Sequence, residues 1–215
     1  MHRRRRTAIL VSAALAAAPL LTACGNDAHP GAAAVVGGER IEVSTLQAEV
    51  ANVRDAQAKA PQGEQMIKET GQLGRAKLFD MIVDKVVEKA ADDAGVTVTR
   101  KELQERRAAY VEQAGGEQAL AATFLQQRGV APDGLDSVVE REILIGKLAE
   151  SIGAANTPDG QQRLNKTFTA AAKSLDIDVN PRYGTWNNQK LELGEYRAPW
   201  ISQLTKSPSA EEQGA

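Results

Sequence analysis

The sequence has little with which to do covalent chemistry. Its 215 residues include one cysteine and two histidines, and all three, His2, Cys24 and His29, fall before position 30. With no second cysteine there is no intramolecular disulfide. Beyond His29 neither histidine nor cysteine is left, so a Ser-His-Asp or Cys-His triad cannot be assembled. A His/Cys zinc site has no ligands, and thiol redox chemistry has no thiol. The glycine-rich phosphate loop and the dinucleotide fingerprint are both missing. A carboxylate pair or a Ser-Lys dyad stays chemically possible, and nothing marks one. Asp92 and Asp93, or Glu140 and Glu142, are adjacent or two apart and so do not share a helix face; they read as solvated surface. No catalytic residue, metal or cofactor is expected. Charge of one sign is also scarce. The formal net charge is −2, without the basic patches from which nucleic-acid affinity comes.

Only one long hydrophobic run is present, and it lies at the start. Arg3 to Arg6 precede the apolar stretch from Ala8 to Leu21, followed by Leu21-Thr22-Ala23-Cys24. Charged, apolar and small-residue regions in that order make a secretory signal. The run is shorter than the ~20 residues a helix needs to cross a bilayer. The last four residues resemble the lipobox of bacterial lipoproteins, which implies cleavage before Cys24 and acylation of its sulfur. Thioether formation also disposes of a thiol that would otherwise be unpaired in an oxidising compartment. The arginine run is compatible with general or twin-arginine export, although Thr7-Ala8-Ile9-Leu10 gives the latter little support. Removing residues 1–23 takes four arginines with it and moves the formal charge from −2 to −6.

Residues 24–32 are small, polar or helix-breaking and read as a flexible tether. Residues 207–215, SPSAEEQGA, read as a disordered tail. Between them, residues 33–206 are enough for one domain. Its composition and periodicity predict a mainly α fold with a small β-hairpin and an extended C-terminal segment.

The hairpin is expected at AAAVVGGERIEV, turning on Gly37-Gly38. Ser44 to Gln47 has the spacing of a capping box, and Leu46, Val50 and Val53 then share a helix face. Pro61 and Gly63 end that helix, and Gly71 and Gly74 mark an irregular stretch. From about Arg75 to Ala94, Phe79, Ile82, Val83, Val86 and Ala90 form an amphipathic stripe closed by Gly95. Thr99 and Glu102 make a second capping box, for a helix through Tyr110 and Val111 that ends at Gly115-Gly116. Glu117 to Arg128 forms the next helix, with Leu120 and Phe124 on one face and Gly129 at its end. Pro132 suits the first position of a long helix running to about Ile152. That helix has apolar residues around much of its circumference, which predicts several packing neighbours. Thr157-Pro158 starts a last helix with Leu164, Phe168 and Ala171 as its stripe.

Aromatics make up 4% of the chain, yet Tyr183, Trp186, Tyr196 and Trp200 crowd into its closing part. Two readings fit them. They form a surface that grasps exposed peptide segments, with Tyr183, Trp186 and Trp200 as candidate substrate-binding residues, or they staple a C-terminal lariat onto the helical body.

Taken in order, AVVGGERIEVSTLQAEV, KLFDMIVDKVVEKAADDAGVTVTRKEL and GGEQALAATFLQQRGVAPDGLDSVVEREILIGKL resemble the N-terminal domain of SurA-type and PrsA-type extracytoplasmic foldases, over roughly residues 33–152. NPRYGTWN resembles the segment that follows the prolyl-isomerase module in such proteins. The stretch from Gly153 to Val179 reads as one helix and lacks the histidines of a parvulin site, so no isomerase activity is expected. The resemblance implies a non-enzymatic chaperone that binds unfolded or newly exported polypeptides at the outer face of the cell membrane. The alternative is a structural or adaptor lipoprotein that binds one folded envelope partner. A carboxylate-based hydrolase is a third class, which no spacing in the sequence supports.

Overall fold

A computed structural model describes residues 30–195. Strands β1 (Ala32–Val36) and β2 (Glu39–Glu42) lead into helices α1 (Val43–Lys59) and α2 (Gly63–Glu69). The helices α3 (Leu73–Asp93), α4 (Arg100–Ala114) and α5 (Glu117–Arg128) follow, and a 3-10 turn at Pro132–Gly134 precedes α6 (Leu135–Ser151). Helix α7 (Gly160–Ser174) and the short strands β3 (Asp178–Val179), β4 (Thr185–Asn187) and β5 (Glu192–Gly194) complete the order. The fold is mainly α with a small antiparallel sheet, as the sequence predicts.

The predicted hairpin forms because Gly37 and Gly38 take φ of +61° and +80°, the left-handed pair that a two-residue turn requires. Val36 then faces Glu39 across the turn. Strand β1 begins at Ala32, which is fully buried, so the fold starts one residue inside the stretch that reads as tether. The first turn of α1 has no side-chain cap, contrary to the Ser44–Gln47 box. The helix starts two residues earlier than that box requires, since β2 runs straight into it and the Val43 N–H donates to the Gly31 carbonyl at 2.8 Å.

The stretch around Gly71 is more regular than its glycines suggest. Helix α2 occupies Gly63–Glu69, and α3 already starts at Leu73. Arg54 holds this corner: its guanidinium donates to the Thr70 carbonyl and hydroxyl, both at 2.6 Å, and to the Gln57 side chain at 2.9 Å. Carbonyls left over at the end of α2 thereby find donors.

Helix α3 is the axis of the fold, packing against α1, α6, α7 and β1. Leu78, Ile82, Val86 and Ala90 lie in the main core with Leu46, Leu148, Ala172 and the β1 residues Ala33, Ala34 and Val36. Each large aliphatic buried here contributes about 1.5–3 kcal/mol. Phe79 and Val83 of the predicted stripe pack around that core, half-buried. A second cluster joins Val53, Leu73, Leu125 and Ala131, and a third joins Val130, Leu135 and Val138.

Local signals hold well in the middle of the chain. Thr99 and Glu102 form the complete reciprocal capping box of α4, and Gly115 and Gly129 end α4 and α5 in the left-handed conformation. Pro132 begins the 3-10 turn rather than α6 itself, which starts at Leu135. The last helix starts at Gly160, two residues after Pro158. A Cβ at position 160 would lie 1.9 Å from the Ala154 carbonyl oxygen, so the chain can approach this closely only at glycine.

The segment after α7 threads back against the opening hairpin. Ala34 and Val35 pair with Val179 and Asp178, which gives the sheet order β2-β1-β3. Asn180 extends the seam, with its N–H donating to the Ala33 carbonyl at 3.0 Å and its side-chain amide to that of Ala32 at 3.1 Å. Arg75 of α3 donates to the Leu193 carbonyl at 2.8 Å, so the β4–β5 hairpin is tied to the helical body as well.

Candidate functional site

Trp186 is 9% exposed and belongs to the main core. Its ring lies 6.1 Å from that of Phe79, and its indole N–H donates to Asn188 Oδ1 at 2.9 Å. Tyr183 is half-buried against the same core. These two rings fasten the closing segment, and Trp186 turns most of its surface into the core, the stapling arrangement of the two that the sequence allows. Trp200, Tyr196 and Cys24 lie outside the described residues. Among the described residues Ile67, 37% exposed, is the large apolar side chain that reaches the surface. The described surface therefore offers recessed aliphatics, not an open aromatic patch.

Those recessed aliphatics line a cleft of about 240 Å³ between α1, α3, α6 and the link that carries the 3-10 turn. One face of α3 supplies Lys77, Asp80, Met81 and Asp84, which recur at three- and four-residue spacing and so share a side of the helix. Val53 comes from α1, Val138 and Arg141 from α6, and Val130 and Asp133 from the link. The apolar side chains belong partly to the second and third clusters, so the floor of the cleft is fixed by core packing.

The cleft is ionic at its rim. Lys77 is 8% exposed, and its ammonium pairs with Asp80 at 2.8 Å. Arg141 pairs with Asp84 at 2.6 Å. Burial pushes the Asp84 carboxyl above its ordinary value, against the opposing pull of the Arg141 charge and hydrogen bond, which marks this side of the cleft as partly desolvated. Asn52 of α1 donates to Asp133 at 3.2 Å. Asp80 and Asp84, the two α3 aspartates that line the cleft, each face their own cation, an arrangement suited to holding a polar main chain over aliphatic walls. Among the described residues no group of three or more histidine, cysteine or carboxylate side chains could hold a metal ion. No described helix is long and apolar enough to cross a membrane.

The opposite side of α6 carries α4, and the join is largely polar. No residue of α4 is buried. Lys147 donates to Glu102 and to the Thr97 carbonyl, both at 2.6 Å. Glu142 accepts from Tyr110 at 2.5 Å and from Arg128 at 2.6 Å. Burial pushes the Glu142 carboxyl up, but these two donors outweigh it and the group sits below its ordinary value. Arg107 pairs with Asp136 at 2.9 Å and also with Glu117. Glu142, which reads from the sequence as solvated surface, is thus a structural acceptor between three helices.

Sequence reasoning did not single out Lys77, Asp80, Asp84, Asp133 or Arg141. One signal was available: a lysine and two aspartates at helical spacing on the side of α3 away from Phe79. What the spacing could not supply is Arg141, which reaches Asp84 from another helix.

No curated protein and no solved structure matches the chain. A family model described as the SurA-like N-terminal domain matches residues 1–149, and no parvulin isomerase domain is matched. The match ends within α6, so α7 and the closing strands lie beyond it, although β3 completes the sheet that the matched part begins. With well over half of its length covered, this chain belongs to the family of SurA-like N-terminal domain proteins.

Proposed function

We propose that this protein is a lipid-anchored extracytoplasmic chaperone that holds unfolded or newly exported polypeptides and has no isomerase activity of its own. The observation that carries the reading is membership of a chaperone-type domain family, joined to a recessed cleft whose walls are aliphatic and whose rim is ionic. A non-native chain exposes aliphatic side chains together with unpaired backbone amides, and such a cleft offers both a nonpolar floor and polar partners. Beyond α6 the described chain forms α7, the strand β3 that joins the opening sheet, and the separate β4–β5 hairpin, and no parvulin domain is matched. The leader and Cys24 support a lipid anchor. Tethering raises the local concentration of binder where exported chains emerge.

The test is aggregation of a chemically denatured client on dilution, with the mature protein or an inert protein present at equal mass. The expected result is suppression that scales with the amount of chaperone. Suppression no better than the inert control sinks the reading. The same preparation is expected to leave cis/trans exchange of a prolyl test peptide at its background rate.

A further inference from the structure

The charges around the cleft do not cancel. Four carboxylates, Glu49, Asp80, Asp84 and Asp133, line it together with two cations, Lys77 and Arg141. Both cations are committed, Lys77 to Asp80 and Arg141 to Asp84. Glu49 and Asp133 have no cationic partner among the described residues, and the only side chain bonded to Asp133 is the neutral amide of Asn52. Glu49 lies one helical turn before Asn52 on α1, which brings both free carboxylates to the same rim. Below them the walls are Val53, Met81, Val130 and Val138.

A lysine or arginine side chain matches this arrangement in two ways. Its methylenes can lie along aliphatic walls while its charged head stays at the wetter rim. Glutamate and aspartate side chains meet uncompensated negative charge there. We propose that the cleft between α1, α3 and α6 selects client segments in which a basic residue is flanked by aliphatic ones. The proposal rests on the chaperone reading above and deepens it.

The probe is a labelled valine-lysine-valine peptide, with matched versions carrying glutamine or glutamate in place of lysine, titrated against the full mature chain by fluorescence anisotropy. The lysine peptide is expected to bind about twofold to fivefold more tightly than the glutamine peptide for each carboxylate engaged, and the glutamate peptide more weakly than either. Added salt should shrink the differences. The double substitution E49Q/D133N, at two exposed positions, should abolish the lysine preference. E112Q/E150Q removes the same charge from two exposed positions outside the cleft and should preserve it. Equal binding of the three peptides, or a lysine preference that survives E49Q/D133N, overturns the proposal. So does peptide affinity that falls as protein concentration rises, because a second copy then fills the cleft. A gain in peptide affinity on Arg197→Gln does the same, since the chain's own C-terminal segment is then the occupant. Aggregation suppression without charge preference leaves the chaperone reading standing and removes only this inference. Loss of suppression by the wild-type protein removes the chaperone reading itself.

Discussion

The rings of Phe79 on α3 and Trp186 on β4 lie 6.1 Å apart and are tilted by 37°, within the range of favourable offset aromatic pairs. This contact joins the central helix to the segment that closes the fold. Helix α7 and the β1–β3 pairing reach the same region of the core, so the closing segment is held by packing and by a backbone seam together.

Trp186→Ala is accordingly expected to destabilise the protein by about 3–5 kcal/mol, the usual cost of removing a large buried aromatic. Trp186→Phe keeps a ring against Phe79 but loses the indole hydrogen bond to Asn188, which is worth about 1 kcal/mol. Urea unfolding followed by circular dichroism measures both. Near-wild-type stability of the alanine variant would mean that the closing segment is not clamped by this ring.

Two helical glycines should respond in opposite directions. At Gly160 a Cβ would meet the Ala154 carbonyl oxygen at 1.9 Å, so Gly160→Ala must push two backbone segments apart, at about 1–3 kcal/mol. At Gly146, inside α6, a Cβ meets nothing within 4 Å. Gly146→Ala is expected to stabilise by about 0.5–1 kcal/mol through the lower entropy cost of helix formation. Thermal melts of the two variants check the signs.

Docking of α4 on α6 should weaken in acid. The Lys147 hydrogen bond, followed by those from the Thr99 backbone and hydroxyl, holds the Glu102 carboxyl down from 4.5 to about 2. A carboxyl depressed in the folded state contributes stability that is fully present above its unfolded value and lost as pH falls through the folded one. The window is therefore from 4.5 down to about 2. Carboxyl carbon shifts followed by NMR should give a Glu102 midpoint near the lower figure, and Lys147→Met should raise it. A wild-type midpoint at the ordinary value would show that the bridge and cap are not formed in solution.

The proposed anchor makes its own demand on Cys24. Mass spectrometry of the mature protein from membranes should find the chain starting at Cys24 and heavier by its acyl groups. Cys24→Ser should leave the chain unacylated and shift it out of the mature membrane-bound pool. A wild-type protein that lacks lipid on Cys24 would remove the anchor from the functional reading.

Much of the helical order was legible because its signals are local. The Thr99–Glu102 box needs partners only three residues apart, and the glycine stops at Gly95, Gly115 and Gly129 need only a residue that accepts positive φ. Such rules failed where a distant group met the same need. The first N–H of α1 goes to Gly31, so the Ser44 box is not used, and Arg54 holds together the corner after α2 that its glycines led one to expect as irregular.

The sequence by itself determined the chemical inventory, the mainly α class, the hairpin turn at Gly37-Gly38 and the apolar stripe of α3, because composition, positive-φ demand and periodicity act within a few residues. Only the tertiary structure decided that β3 joins β1, that Trp186 is core rather than surface, and that Arg141 meets Asp84 while Glu49 and Asp133 have no cation among the described residues. Those outcomes depend on which elements pack together. Partners brought together by packing leave no period in the chain by which a reader could find them.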